Sequence, residues 1–126
     1  MQLSLDRPEG YFFIRAISAQ GIVVVDRELQ RSFIMTPERV IEDWPVQTIS
    51  DFNAAAVDQL LQLDPELILL GTGARQIFPD RSLLLPLLRR SIGVEVMDNG
   101  AASRTYNLLA GEGRHVAAAF ILETTG

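Results

Sequence analysis

The rhythm of hydrophobic positions changes near the middle of this chain. In the first half, apolar residues come in short β-branched and aromatic runs, the composition that strands favour. Residues 11–17 form the first such run, Ala19-Gln20-Gly21 reads as a turn, and residues 22–25 read as the returning strand of a hairpin. Residues 31–35 predict a third antiparallel strand, ended by Thr36-Pro37. Trp44, the only tryptophan, stands before Pro45 and is therefore biased towards extended backbone.

From residue 51 the spacing becomes helical. Phe52, Ala56, Leu60 and Leu63 share one face, with Asn53, Asp58, Gln59 and Gln62 mainly on the other. Ser50 or Asp51 is placed to cap this helix by accepting backbone N–H bonds. Residues 66–70 read as a buried strand that ends in Gly71-Thr72-Gly73. Pro79 and Asp80 punctuate the following loop, and residues 82–91 predict a second helix. Proline costs about 3 kcal/mol inside a helix, so Pro86 predicts a late start or a bend. Gly93 ends that helix, residues 94–97 form the next strand, and residues 101–109 form a third helix. Gly111-Glu112-Gly113 breaks it, and residues 116–122 form the last strand. Strands separated by single helices favour parallel pairing with right-handed crossovers. The prediction is one three-layer α/β domain over residues 1–126. Its mixed sheet carries an N-terminal β-hairpin or meander, followed by α-β-α-β-α-β with a parallel core.

Composition narrows the function classes. At 126 residues, 48% hydrophobic and 21% charged, the chain is long enough for a real core. A net charge of -5 argues against nucleic acid, which needs a basic face. All eleven cationic residues are arginine; composition bias explains this, although arginine also offers a planar fork for carboxylates and phosphates. There is no cysteine, which excludes disulfides, thiolate chemistry and cysteine-based metal sites. The N-terminus lacks the basic-then-apolar order of a signal peptide. No apolar run approaches the roughly 18 residues of a membrane span. The expected location is the cytoplasm of a bacterial-type cell, with attachment to the inner membrane through a partner as the alternative.

Two glycine-bearing turns follow two apolar strands, and strand C-termini are where open α/β sheets bind ligands. Gly71-Thr72-Gly73 has the start of a dinucleotide fingerprint, but Gln76 occupies the place of its third glycine. The turn reads either as a tight exit from the sheet or as a small anion nest helped by Thr72 or Arg75. Asp98 reads as a helix cap or as a carboxylate facing a cleft beside the Gly71 turn. Ala102, Tyr106 and Leu109 suit a core-facing stripe, while Arg104 and Asn107 share a more polar face. Arg104 either forms a local salt bridge or lines a polar groove with Asp98. The candidate ligand- or partner-binding residues are therefore Gly71, Thr72, Gly73, Arg75, Asp98 and Arg104. His115, the only histidine, lacks the partners that a general base or a metal site needs. It reads as structural or surface, and no catalytic residues, metal site or cofactor are assigned.

Three runs carry a family resemblance: Gly93-Val94-Glu95-Val96-Met97-Asp98, Ala101-Ala102-Ser103-Arg104-Thr105-Tyr106-Asn107, and Glu112-Gly113-Arg114-His115-Val116-Ala117-Ala118-Ala119. With Leu69-Leu70-Gly71-Thr72-Gly73 and Ile49-Ser50-Asp51-Phe52, the chain from Tyr11 onward resembles the uncharacterised bacterial and archaeal family related to mitochondrial NADH dehydrogenase (complex I) assembly factor 3. The resemblance implies a compact three-layer α/β domain with no established catalytic residues or cofactor. It also implies a protein partner, since the mitochondrial relative acts with partner assembly proteins on complex I. The leading expectation is a non-enzymatic protein-interaction domain that helps a membrane or respiratory complex to assemble. The alternative is a domain binding a small anion or metabolite in the cleft between Gly71-Thr72-Gly73 and Asp98-Asn99-Gly100, with enzymatic activity left open. A third expectation is a homodimer through the N-terminal strands, because Tyr11-Phe12-Phe13 suggests apolar surface to cover.

Overall fold

The computed structural model describes residues 10–18 and 20–123. Ala19, the first residue of the expected Ala19-Gln20-Gly21 turn, lies outside them. A three-stranded antiparallel sheet comes first: β1 (Ile14–Ile17), β2 (Ile22–Val24) and β3 (Arg27–Leu29). The main sheet contains β4 (Phe33–Met35), β5 (Val40–Ile41), β6 (Leu67–Gly71), β7 (Gly93–Met97) and β8 (Val116–Phe120), in the order β5-β4-β8-β6-β7. The helices are α1 (Ala54–Gln62), α2 (Arg81–Arg89) and α3 (Asn99–Gly111).

The central strand β6 pairs in parallel with both β7 and β8. Strands covered on both faces read as continuous apolar runs, as Leu67-Ile68-Leu69-Leu70 and Val116-Ala117-Ala118-Ala119-Phe120 do. Alternate residues feed two separate cores. Leu69, Ala118 and Phe120 join Phe12, Ile22 and Tyr106 on one face. Ile68, Leu70, Ala117 and Ala119 join Val57, Leu60 and Leu87 on the other. The chain steps from β6 to β7 in one direction, then back past β6 to β8. Successive right-handed crossovers taken in opposite directions place their helices on opposite faces. Hence α2 packs with α1 on one side, while α3 and the small sheet cover the other. The expected three-layer α/β arrangement with a mixed sheet is what the structure contains.

Several local expectations change. Residues 31–35 do not extend the hairpin sheet; β4 pairs antiparallel with β8, Phe33 opposite Phe120. All three β4 residues are buried, so they need a doubly covered position, whereas Arg27 and Glu28 suit the small sheet, which has a solvent side. The cap of α1 is Asn53, whose Oδ1 accepts from the Ala56 N–H at 3.0 Å. Asp51 instead ends a separate 3-10 turn, Ile49–Asp51, and accepts from the Thr48 N–H at 3.1 Å. The helix α2 begins at Arg81, before Pro86, because Asp80 caps it: its carboxylate accepts from the Ser82 N–H and hydroxyl. Those bonds hold the Asp80 carboxyl below its ordinary pKa. Phe12 is in the core, with Tyr11 and Phe13 packed against it, so this run spends its apolar surface within the chain. No helix among the described residues is long and apolar enough to cross a membrane.

Candidate functional site

The last residues of β6 and β7, Gly71 and Met97, are register partners. Their following loops lead to helices on opposite faces of the sheet, so a crevice opens between them, the usual ligand position in open α/β sheets. The small sheet closes its far side. The result is a groove of about 610 Å³ lined by Thr72, Gly73, Arg75, Asp98 and Asn99 on the strand side. Ile17, Ser18, Gln20 and Gln30 form the opposite wall.

Asn99 builds the floor, and it is buried. Its Oδ1 accepts from the Gly73 N–H at 3.0 Å, its own N–H donates to the Gly73 carbonyl at 2.8 Å, and its Nδ2 donates to the Ile121 carbonyl at 3.0 Å. One side chain thus joins the turn after β6, the start of α3 and the end of β8. A Cβ on Gly71 would collide with Asn99 Oδ1 and lie 3.0 Å from Phe120 Cδ1, so glycine is required there by close approach. Gly73 is required for a different reason, its φ of +101°.

Thr72 is also structural. Its N–H donates to the Met97 carbonyl at 2.9 Å, and its hydroxyl donates to the Arg75 carbonyl at 2.6 Å while accepting from the Ile77 N–H at 3.0 Å. The anion-nest reading loses both Thr72 and the Gly73 N–H to these internal bonds. Gln76 donates to the Val96 carbonyl at 2.9 Å, and residues 72–80 separate β6 from α2. No helix therefore opens at the glycine turn, which a dinucleotide fingerprint requires.

Asp98 serves the start of α3 and borders the groove. Its Oδ1 caps the helix by accepting from the Ala101 N–H at 2.8 Å. Arg104 corrects both of its readings: it is exposed, forms no ion pair among the described residues, and is not on the groove lining. Its Nη1 stands 3.5 Å from where a Cβ on Gly100 would be. Arg75 is exposed at the groove rim, also without an ion pair among the described residues.

The rest of the Arg104-Thr105-Tyr106-Asn107 run serves packing. The Tyr106 hydroxyl donates to the Phe12 carbonyl at 2.7 Å. Asn107 pairs with the backbone of Ile14 rather than sharing a solvent face with Arg104. His115 precedes β8 at the opposite end of the sheet from the groove; its N–H and Arg114 both donate to Glu66 and hold that carboxyl below its ordinary pKa. Sequence reasoning missed Asn99 as the floor, although the glycine at position 71 signalled a close approach. It also missed the wall from Ile17 to Gln30, for which no local signal exists.

A family profile described as "Protein of unknown function (DUF498/DUF598)" matches residues 14–121. The chain belongs to this family. Among solved structures it is similar to Xanthomonas campestris XCC1710, with a TM-score of 0.82 and 43% identity over 98% of this chain and 96% of that one. Among curated relatives, NADH dehydrogenase [ubiquinone] 1 alpha subcomplex assembly factor 3 of Xenopus tropicalis is 29% identical over 88% of this chain and 61% of its own. The 13 kDa major membrane protein of Francisella tularensis subsp. holarctica is 30% identical over 87% of this chain and 89% of its own. The DUF498 chain here thus spans about three-fifths of the assembly factor's length.

Proposed function

We propose that the groove receives a segment of a protein partner, in a domain that assists the assembly of a membrane or respiratory complex. The observation that carries this reading is the extent of the family match. Residues 14–121 take in both walls of the groove, and the relatives named as assembly factors align over nearly the same share of the chain. The geometry suits the role. Asn99 fixes the floor before any partner arrives, which lowers the ordering cost of binding. Ile17 and Ile77, both exposed, line the groove from two different walls and offer apolar anchors.

The test is affinity purification of the tagged chain at native expression beside an Ile17→Asp, Ile77→Asp variant checked for native folding. An assembly protein or membrane-complex subunit enriched with the wild type and lost with the variant supports the reading. No enriched protein with the wild type overturns it.

A second reading rests on Arg75, whose guanidinium has no ion-pair partner among the described residues and borders the same groove. It would hold a small carboxylate or phosphate compound there. Thermal stabilisation by such a compound, abolished by Arg75→Ala, favours this alternative over a protein partner.

A further inference from the structure

The segment from Arg75 to Ile92 differs from the rest of the molecule in two independent ways. It carries four arginines and one aspartate, while the remainder carries seven arginines against fifteen acidic residues. It also holds Ile77, Phe78, Leu85 and Leu88, four of the six large hydrophobic residues exposed among those described. Phe78 is 69% exposed, Leu88 48% and Leu85 37%.

Helix geometry puts part of these features on one surface. At 3.6 residues per turn, Arg81, Leu85, Leu88 and Arg89 fall within an arc of about 100°. Leu87 points the other way, into the core, with Leu83 and Leu84 packed beside it. The lone Asp80 is turned to its own helix as the cap. Arg90 has Asp64 at 3.5 Å, whereas Arg75, Arg81 and Arg89 form no ion pair among the described residues.

We propose that this face of α2, with Phe78 in the loop before it, seats directly on an anionic lipid surface. The charge distribution selects that occupant. A negatively charged bilayer attracts this one segment and repels the acidic remainder, which orients the molecule with α2 downward. Arginine forks can then meet lipid phosphates, while Leu85, Leu88 and Phe78 reach the acyl boundary as interfacial helices do. Arg75 and Ile77 border the groove, but Phe78, Arg81, Leu85, Leu88 and Arg89 do not, so either idea can fail alone.

The full chain is tested by co-sedimentation with phosphatidylcholine vesicles, with and without phosphatidylglycerol. The wild type is expected to bind only the anionic vesicles, less tightly as salt rises. Binding should weaken about fivefold for each arginine removed in Arg81→Ala, Arg89→Ala. Phe78→Ser, in a loop outside the core, should weaken it further, and Arg39→Ala should leave it unchanged. Circular dichroism confirms that each variant is folded. Absence of binding to anionic vesicles at low salt overturns the proposal, as does equal binding by the wild type and the folded variants. A protein partner captured through Arg81 and Arg89 without vesicle binding would assign the face to an acidic protein instead.

Discussion

Asn107 holds the backbone of Ile14 with both ends of its amide. Its Oδ1 accepts from the Ile14 N–H at 2.8 Å and its Nδ2 donates to the Ile14 carbonyl at 2.7 Å. The side chain thereby replaces a neighbouring strand at the free edge of β1 and ties the small sheet to α3. Asn107→Ala leaves a half-buried donor and acceptor without partners, and is expected to cost about 2–3 kcal/mol. Urea unfolding measures the loss. Asn107→Asp keeps the acceptor but sets a carboxylate against the Ile14 carbonyl, so it should be no better tolerated.

Gly71 and Asn99 should behave as a coupled pair. Gly71→Ala forces its new methyl onto Asn99 Oδ1 and is expected to cost about 1–3 kcal/mol. Asn99→Ala removes two side-chain hydrogen bonds but also removes the obstruction. The double variant should therefore be more stable than the sum of the two losses predicts, by at least about 0.5 kcal/mol. Strict additivity in a double-mutant cycle would contradict this account of the groove floor.

The Ser103 hydroxyl is buried on α3 with no hydrogen-bond partner among the described residues. Alanine removes that unsatisfied group and has the better helix propensity. Ser103→Ala is expected to raise stability by about 0.5–1 kcal/mol, read as an increase in Tm.

Tyr106 gives a pH signature. Burial, and secondarily the nearby Tyr11, push its phenol above the ordinary tyrosine range. In the unfolded chain it ionises near pH 10, so above that pH the unfolded state binds fewer protons and stability falls as pH rises. Tyr106→Phe loses the bond to the Phe12 carbonyl and should be about 1 kcal/mol less stable at neutral pH. Above pH 10 its deficit should shrink, by up to about 1.4 kcal/mol per pH unit, because phenylalanine does not titrate. Parallel stability profiles for the two proteins across pH 8–11 would contradict the assignment.

The amino-acid order by itself determined the alternation of strands and helices in the second half, the parallel core, and the two turns at strand C-termini. Those features are local: apolar runs, helical periodicity, capping aspartates and glycines act over a few residues. Asp98 was legible as a cap because its partner, Ala101, is three residues away. Only the tertiary structure decided that residues 33–35 leave the hairpin for the main sheet, since that choice depends on the two covered faces of β8. It also decided that Tyr106 binds Phe12 and Asn107 binds Ile14, more than 90 residues earlier, and that Ile17 and Gln30 wall the groove opposite Arg75. Contacts of such separation leave no periodic trace in the chain, because they are set by which faces the crossovers bring together rather than by neighbouring residues.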